Sequence, residues 1–375
     1  MQREPDDTLK LFGLSPKHSG FRPHSDVRLR FVTVVDEPSA SVPEPLTLAQ
    51  LAELAGVSKA TVSKVVNGRS AVAPETRALI EGLIREHGFR RQRRRSSPAA
   101  VLELVFHELA GDYPTEIARG VGQVAREHHM AVAISELQGN HVPGADWLED
   151  VLGRRPAGVI AVFSSLTDLQ RERLATHKIP LVLLDPTGDP GHRVPSVGAG
   201  NWNGGLTATR HLLELGHRRI AIITGPPHAL SSRARLDGYR AALDTAGVPV
   251  DPDLICQGDY QIEDGLTHTH RLLRLPNPPT AVFASNDGQA IGVYHAANRL
   301  GLRIPDDLSV VGFDDMPPMR WAIPPLTTIH QPLAEMAGAA ATMLVTLARG
   351  EPLPHHRKEF ATTLVVREST APPKP

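Results

Sequence analysis

Between Leu46 and Gly88 the apolar positions recur at helical spacing. Leu48, Leu51, Ala52 and Ala55 fall at i, i+3, i+4 and i+7 and stop at Gly56, which predicts a first helix. Val57 then bridges a tight turn, and Ser58 stands where a helix N-cap accepts a hydrogen bond from a first-turn amide. Val62, Val65 and Val66 repeat the spacing until Asn67-Gly68 closes a second helix. Pro74 suits a first helical position, and Leu79, Ile80, Leu83 and Ile84 carry a third helix to His87-Gly88. Ala73 occupies its cap position and cannot cap, a weakness of about 1 kcal/mol relative to serine. Two helices joined by a short glycine-containing turn and backed by a third form a helix-turn-helix arrangement; the alternative is a plain small helical bundle.

After Pro98 the pattern changes to alternating strands and helices. The short apolar runs VLELVF, MAVAIS, GVIAVF, PLVLLD, RIAIITG, TAVFASND and LSVVGFDD alternate with amphipathic stretches such as TEIARGVGQVAREHH and GGLTATRHLLELG. Strands that are apolar throughout belong in parallel sheets covered on both faces. About 275 residues of this texture predict two doubly wound α/β lobes rather than one sheet. Ligands in such sheets bind beyond the carboxyl ends of the strands, so FSS, LDP, TGPP, SND and FDD are expected to border one cleft. The glycine-rich VGAGNWNGG lacks the spacing and the later acid of a dinucleotide site and reads as a turn.

Charge sharpens this division. The 375-residue chain has a formal net charge of -1, yet residues 46–95 hold ten Lys/Arg against four Asp/Glu, and the remainder holds 30 against 37. Six of those arginines lie between positions 85 and 95. A basic module for a polyanion is thus joined to a mildly acidic body. On the second helix Lys59, Ala60, Thr61, Ser63, Lys64 and Asn67 are all small or polar, so the helix can approach base edges and offer donors to bases and phosphates. A merely solvated helix face is the alternative.

Composition excludes several classes. No apolar run approaches the ~20 residues of a membrane span, and MQREPDDTLKLF lacks a basic-then-apolar export pattern, so a cytoplasmic protein is expected. Cys256, the single cysteine, ends a short apolar run and reads as a small packed residue. Residues 1–45 mix Pro, Ser, Asp, His and Arg without periodicity and read as a disordered lead-in. An enzyme is the second rival, but the chain has no Gly-x-Ser-x-Gly elbow, phosphate loop or His-Glu-x-x-His pattern. The histidines at 128–129, 268, 270 and 355–356 lack a companion cluster, so surface placement is expected rather than metal binding, and no cofactor is expected. An exported binding protein would share the body but lack the basic module.

The stretches LAELAGVSKATVSKVVNG and APETRALIEGLIREHGF, followed in order by HLLELGHRRIAIITGP, RARLDGYRAAL, FASNDGQAIGV, LRIPDDLSVVGFDD and PPLTTIHQP, resemble the lactose and galactose repressor (LacI/GalR) family of bacterial transcription factors over residues 46–368. The resemblance implies a homodimeric regulator that binds a pseudo-palindromic duplex operator. Its body is similar to periplasmic binding proteins and senses a small sugar-like effector, without membrane attachment. It also implies that Lys59, Ala60 and Lys64 read bases and that Thr61, Ser63 and Asn67 hold the DNA backbone, with Ser58, the cap of the same helix, as a further DNA-binding candidate. In the cleft it implies roles for Arg235, Tyr260, Asn286 and Asp314, with Tyr113, Phe163, Asp185 and Gln331 as further candidates whose alternative role is structural. Where many members carry a hinge helix with a minor-groove leucine, this chain reads FRRQRRRSSPAAV, with Pro98 nearby and no leucine. Arg91, Arg93, Arg94 and Arg95 are the residues left to follow phosphates or enter the minor groove. Gly200 stands where the family has an aspartate. The expected organisation is a lead-in at 1–45, a helix-turn-helix at 46–90, a linker at 91–99 and a bilobed body at 100–370.

Overall fold

A computed structural model of the chain describes residues 46–66, 72–87, 100–137, 141–188 and 194–374. The chain divides into two compact units, Met1–Arg94 and Arg95–Pro375. In the first unit, helices α1 (Leu48–Leu54), α2 (Lys59–Val66) and α3 (Pro74–His87) surround a small core. Thr47 caps α1 in a reciprocal box with Gln50, and Gly56, at φ +63, turns the chain toward α2. Leu51, Ala52, Ala55, Val62, Val65 and Ile80 are buried together, with Leu48, Val66, Leu83 and Ile84 packed at their margin. Leu79, expected on the inner face of α3, is instead 51% exposed. At ~100° per residue it lies about a quarter turn from the stripe of Ile80, Leu83 and Ile84, and so small a core has room for one stripe.

The second unit begins with β1 (Val101–Phe106), α4 (Tyr113–Glu127), β2 (Ala131–Glu136), α5 (Ala145–Arg154), β3 (Gly158–Val162), α6 (Asp168–Thr176), β4 (Leu181–Leu184) and β5 (Ser196–Ala199). It continues through α7 (Asn201–Glu214), β6 (Ile220–Thr224), α8 (Leu230–Thr245), β7 (Ile255–Gln257), α9 (Ile262–Leu272), β8 (Ala281–Ala284), α10 (Asp287–Arg299), β9 (Ser309–Asp314) and β10 (Thr327–His330). It closes with α11 (Leu333–Ala348), β11 (Arg357–Phe360) and β12 (Thr363–Val365). One sheet has the order β11-β5-β4-β3-β1-β2 and is parallel throughout. The other has the order β12-β10-β9-β8-β6-β7, parallel except for β12. The two doubly wound lobes expected from the apolar runs are therefore present. The chain passes between them after β5, after β10 and after β11.

The segment VGAGNWNGG is not a turn. Ser196–Ala199 is a strand, and Gly204 and Gly205 lie inside α7. A Cβ on Gly205 would stand 2.2 Å from the carbonyl oxygen of Arg235 in α8, so the glycine permits backbone-to-backbone helix packing. This close packing sets where Arg235 leaves α8. Cys256 is buried in β7, where Arg271 donates to its sulfur at 2.9 Å and burial pushes the thiol pKa up. His355 and His356 are exposed. His268 bonds the Gln257 carbonyl at 2.8 Å.

Candidate functional site

On α2, Ser58 Oγ accepts from the Thr61 N–H at 3.2 Å, the capping role its position suggested. Lys59, Ala60 and Lys64 are exposed while Thr61 and Ser63 are half-buried, and Val62 and Val65 hold the opposite side of the helix in the core. Two cationic donors and one small side chain are thus turned to the outside of α2. Asn67, Arg91, Arg93, Arg94 and Arg95 lie outside the described residues.

In the body, the carboxyl ends of the strands surround a cleft of about 300 Å³. Phe163 follows β3, Asp185 follows β4, Asn286 follows β8, and Asp314 ends β9. Tyr113 at the start of α4, Arg235 in α8 and Tyr260 in the loop after β7 complete the converging set. Phe163, Asp185, Tyr260 and Asp314 have φ of 45, 50, 63 and 111, in a region that non-glycine residues seldom adopt. Such backbone persists where the surrounding structure over-determines it, and here it turns four side chains inward. The TGPP segment contributes differently: a Cβ on Gly225 would stand 2.2 Å from Tyr260 Cζ, so its bareness admits the tyrosine ring.

Arg235 is 3% exposed and organises the floor. Its Nε donates to Asn201 Oδ1 at 2.8 Å, one terminal nitrogen donates to the Ser285 carbonyl, and the other donates to Gln331 Oε1 at 3.2 Å. Asp314 Oδ1 lies 3.8 Å from the guanidinium, whose carbon sits 3.6 Å from the centroid of Phe313 and 5.6 Å from that of Tyr260. Ser231 precedes Arg235 by one helical turn, shares its face and meets the Tyr260 hydroxyl at 3.3 Å. Gln331 is therefore beneath the arginine rather than on the cleft wall, and its Nε2 is buried without a partner. Asn286 caps α10, accepting from Gln289 N–H at 2.8 Å and donating to the Tyr260 carbonyl at 2.9 Å. It lines the cleft, but with part of its bonding capacity already used.

Burial raises the pKa of all three carboxyl groups at the floor. Asp185 is raised although Arg235 pulls it the other way, and Tyr113 Oη donates to its Oδ2 at 3.4 Å. Asp314 is pushed up to about 7 by burial, against the opposing field of Arg235 and with that of Asp185. Asp287 is raised by burial and by Asp314, and its oxygens accept from Thr328 Oγ1 and Met316 N–H, each at 2.7 Å. Tyr113 and Tyr260 are likewise raised by burial and remain neutral donors. A guanidinium, carboxyl groups poised to accept, and two phenols between Phe163, Met316 and Met319 suit a ring that bears several hydroxyls and apolar edges.

Several participants had no signal in the sequence. His107, His141 and His228 pack together with Phe163: His107 and His141 stack at 4.7 Å, and His141 meets His228 at 4.8 Å. His228 follows β6, so that last contact joins the two lobes, as does the 3.3 Å bond from Gln261 Nε2 to Glu108 Oε2. Asn201 supports Arg235 from the first turn of α7; only its place beside the departure at Gly200 drew attention to it. Among the described residues no group of His, Cys, Asp and Glu is placed to hold a metal ion, and no helix is long and apolar enough to cross a membrane.

Comparison with known proteins places both units. The model of bacterial regulatory proteins of the lacI family matches residues 47–92, and that of the periplasmic binding protein-like domain matches residues 209–370. The HTH-type transcriptional repressor CytR of Escherichia coli is 31% identical over 332 residues, spanning 86% of this chain and 96% of CytR. Among solved structures, the complex of the transcriptional regulator CelR with cellobiose has a TM-score of 0.66 and 33% identity, covering 86% of this chain and 99% of CelR. The lac repressor dimer bound to operator and the anti-inducer ONPF also has a TM-score of 0.66, with 28% identity over 88% of this chain and 100% of the repressor. With an HTH unit and a two-lobed body matched in order by relatives along nearly their whole length, the chain belongs to the lacI family of bacterial regulatory proteins.

Proposed function

We propose that this protein is a transcriptional repressor whose affinity for an operator is switched by a small sugar-like effector held between the lobes of its body. Residues 46–90 form the DNA-reading module, 91–99 the linker and 100–370 the effector-binding and dimerising body. The observation that carries the reading is the cleft itself: Arg235 and three buried aspartates meet at strand ends drawn from both lobes, in a chain that also presents Lys59, Ala60 and Lys64 outward on α2. The relatives support it, since their names describe repressors and one was captured with cellobiose.

The switch works through differential affinity. An effector that bridges Tyr113, Phe163 and Asp185 on one lobe to Arg235, Tyr260 and Asp314 on the other favours the closed arrangement of the lobes. Operator affinity then changes by no more than the effector's preference for one arrangement over the other, and the operator changes effector affinity by the same factor. Lys59 and Lys64 donate to guanine O6 and N7 or to phosphates.

The test begins by selecting a preferred duplex from a random pool with the full chain. Lys64→Ala is then expected to weaken that duplex by about 10–100-fold at fixed salt. A thermal-shift screen of sugars and nucleosides finds the effector, because a ligand that binds only the folded state raises its stability. Selection that returns no preferred duplex, or an effector whose addition leaves operator affinity unchanged, would refute the proposal.

A further inference from the structure

The charge lining the cleft is one-sided. Glu108, Asp112, Asp185, Asp259, Asp287 and Asp314 all border it, and Arg235 is the one Lys or Arg among the described residues that line it. That arginine is partly engaged: each of its three nitrogens donates to an oxygen of the floor, which uses three of its five N–H donors, and Phe313 covers one face of the guanidinium. His107, at the mouth, has its pKa held down to about 4 by burial and by His141, so it is neutral near pH 7. Helix N-termini are the usual alternative source of anion affinity. Of the four helices whose first turns border the cleft, three carry acids at the cap or in the first turn, Asp112 for α4, Glu263 and Asp264 for α9 and Asp287 for α10, whereas α8, which enters with Ser231, carries none. Asp287 Oδ2 also takes up the N–H of Met316 at 2.7 Å, a backbone donor beside the cleft.

From this arrangement we infer that the cleft selects its effector by charge: it accepts an uncharged polyhydroxylated ring, or one bearing an ammonium group, and rejects phosphorylated and carboxylated forms of the same ring. The inference rests on the proposed effector site and adds a specificity rule to it. At pH 8, above the value of about 7 to which Asp314 is raised, a phosphate entering the cleft would meet the Asp314 carboxylate beside Asp185 and, among the described lining residues, no Lys or Arg besides Arg235. Hydroxyls of a neutral ring instead donate to those carboxyl oxygens. Glu108 and Asp259 extend the same bias to the entrance.

The experiment measures calorimetric affinities of the full chain for paired probes at pH 8, above the value of about 7 to which Asp314 is raised. Each neutral sugar or nucleoside in the panel is matched with its phosphate or uronate form, and glucose is matched with glucosamine. A neutral probe that binds about 100-fold more tightly than its anionic partner is the expected result, on the scale of one poorly screened like-charge contact. In the double variant Glu108→Gln, Asp259→Asn, and separately in Asp314→Asn, that ratio should narrow to roughly 10-fold as one or two charges are removed. The mouth variant keeps the test available should the buried substitution impair folding. An anionic probe that binds as tightly as its neutral partner, or a ratio indifferent to both variants, overturns charge selection while leaving the effector site in place. If no probe of either charge binds, the effector site itself fails and the inference falls with it.

Discussion

Arg235→Met offers the most direct measure of how the cleft floor is held together. Methionine keeps the aliphatic stem and removes the guanidinium, stranding Asn201 Oδ1, the Ser285 carbonyl, Gln331 Oε1 and the carboxyl groups of Asp185 and Asp314. Removing one partner from a buried charged network costs about 3–5 kcal/mol. The carboxyls can escape part of that cost by staying protonated, which makes it depend on pH. A carboxyl whose folded pKa exceeds its unfolded value of ~3.9 destabilises the fold increasingly as pH rises from the unfolded to the folded pKa, and then no further. For Asp314 in the wild type that rise ends at about 7. Without Arg235 the folded pKa moves higher, so the variant goes on losing stability up to pH 8.5, by a further ~2 kcal/mol. The expected loss is therefore about 2–3 kcal/mol at pH 5, from broken hydrogen bonds alone, and about 4–5 kcal/mol at pH 8.5. Urea unfolding at both pH values measures it, and because all three tryptophans lie beyond residue 140 their fluorescence follows the body. A loss equal at the two pH values, or larger at pH 5, would refute the electrostatic account of the floor.

Two further outcomes follow from particular contacts. Gly205→Ala places a methyl 2.2 Å from the Arg235 carbonyl, a backbone atom that cannot rotate aside. It should destabilise the body by about 1–3 kcal/mol or more and weaken effector binding by displacing Arg235; unchanged unfolding midpoints would contradict the packing. His107 has a folded pKa near 4, below its unfolded ~6.5, so its neutral form is favoured in the fold. It is neutral in folded and unfolded chains above that range, and stability falls as pH drops from ~6.5 toward ~4 while the unfolded state takes up the proton. His107→Gln should flatten thermal midpoints between pH 6.5 and 4.5 relative to the wild type, and an identical pH slope would count against the burial of its ring.

Legibility differed between the two units for a physical reason. The small unit is built from local contacts, so helical spacing, a cap at Ser58 and a glycine at 56 were readable one by one; Leu79 failed because spacing alone does not say how wide the buried stripe is. In the body, continuous apolar runs announced parallel strands, and of the five loops expected to border one cleft, FSS, LDP, SND and FDD line it while TGPP does not. The four positive φ values at Phe163, Asp185, Tyr260 and Asp314 were invisible, since none of these residues is a glycine. VGAGNWNGG was misread because a glycine needed for helix-to-helix approach looks in sequence like a glycine needed for a turn.

The sequence by itself determined the division into a basic helical module and an acidic α/β body, the identity of most elements, and the list of side chains able to act. Those properties depend on neighbours within a few residues and on summed charge. Tertiary structure alone decided which of those side chains meet. Arg235 finds Asn201, Ser285 and Gln331 at 34, 50 and 96 residues' distance along the chain, and His107, His141 and His228 come from three separate loops. Contacts of that range are set by strand order and helix packing, and burial then assigns each group its charge, its partner and its place in the cleft.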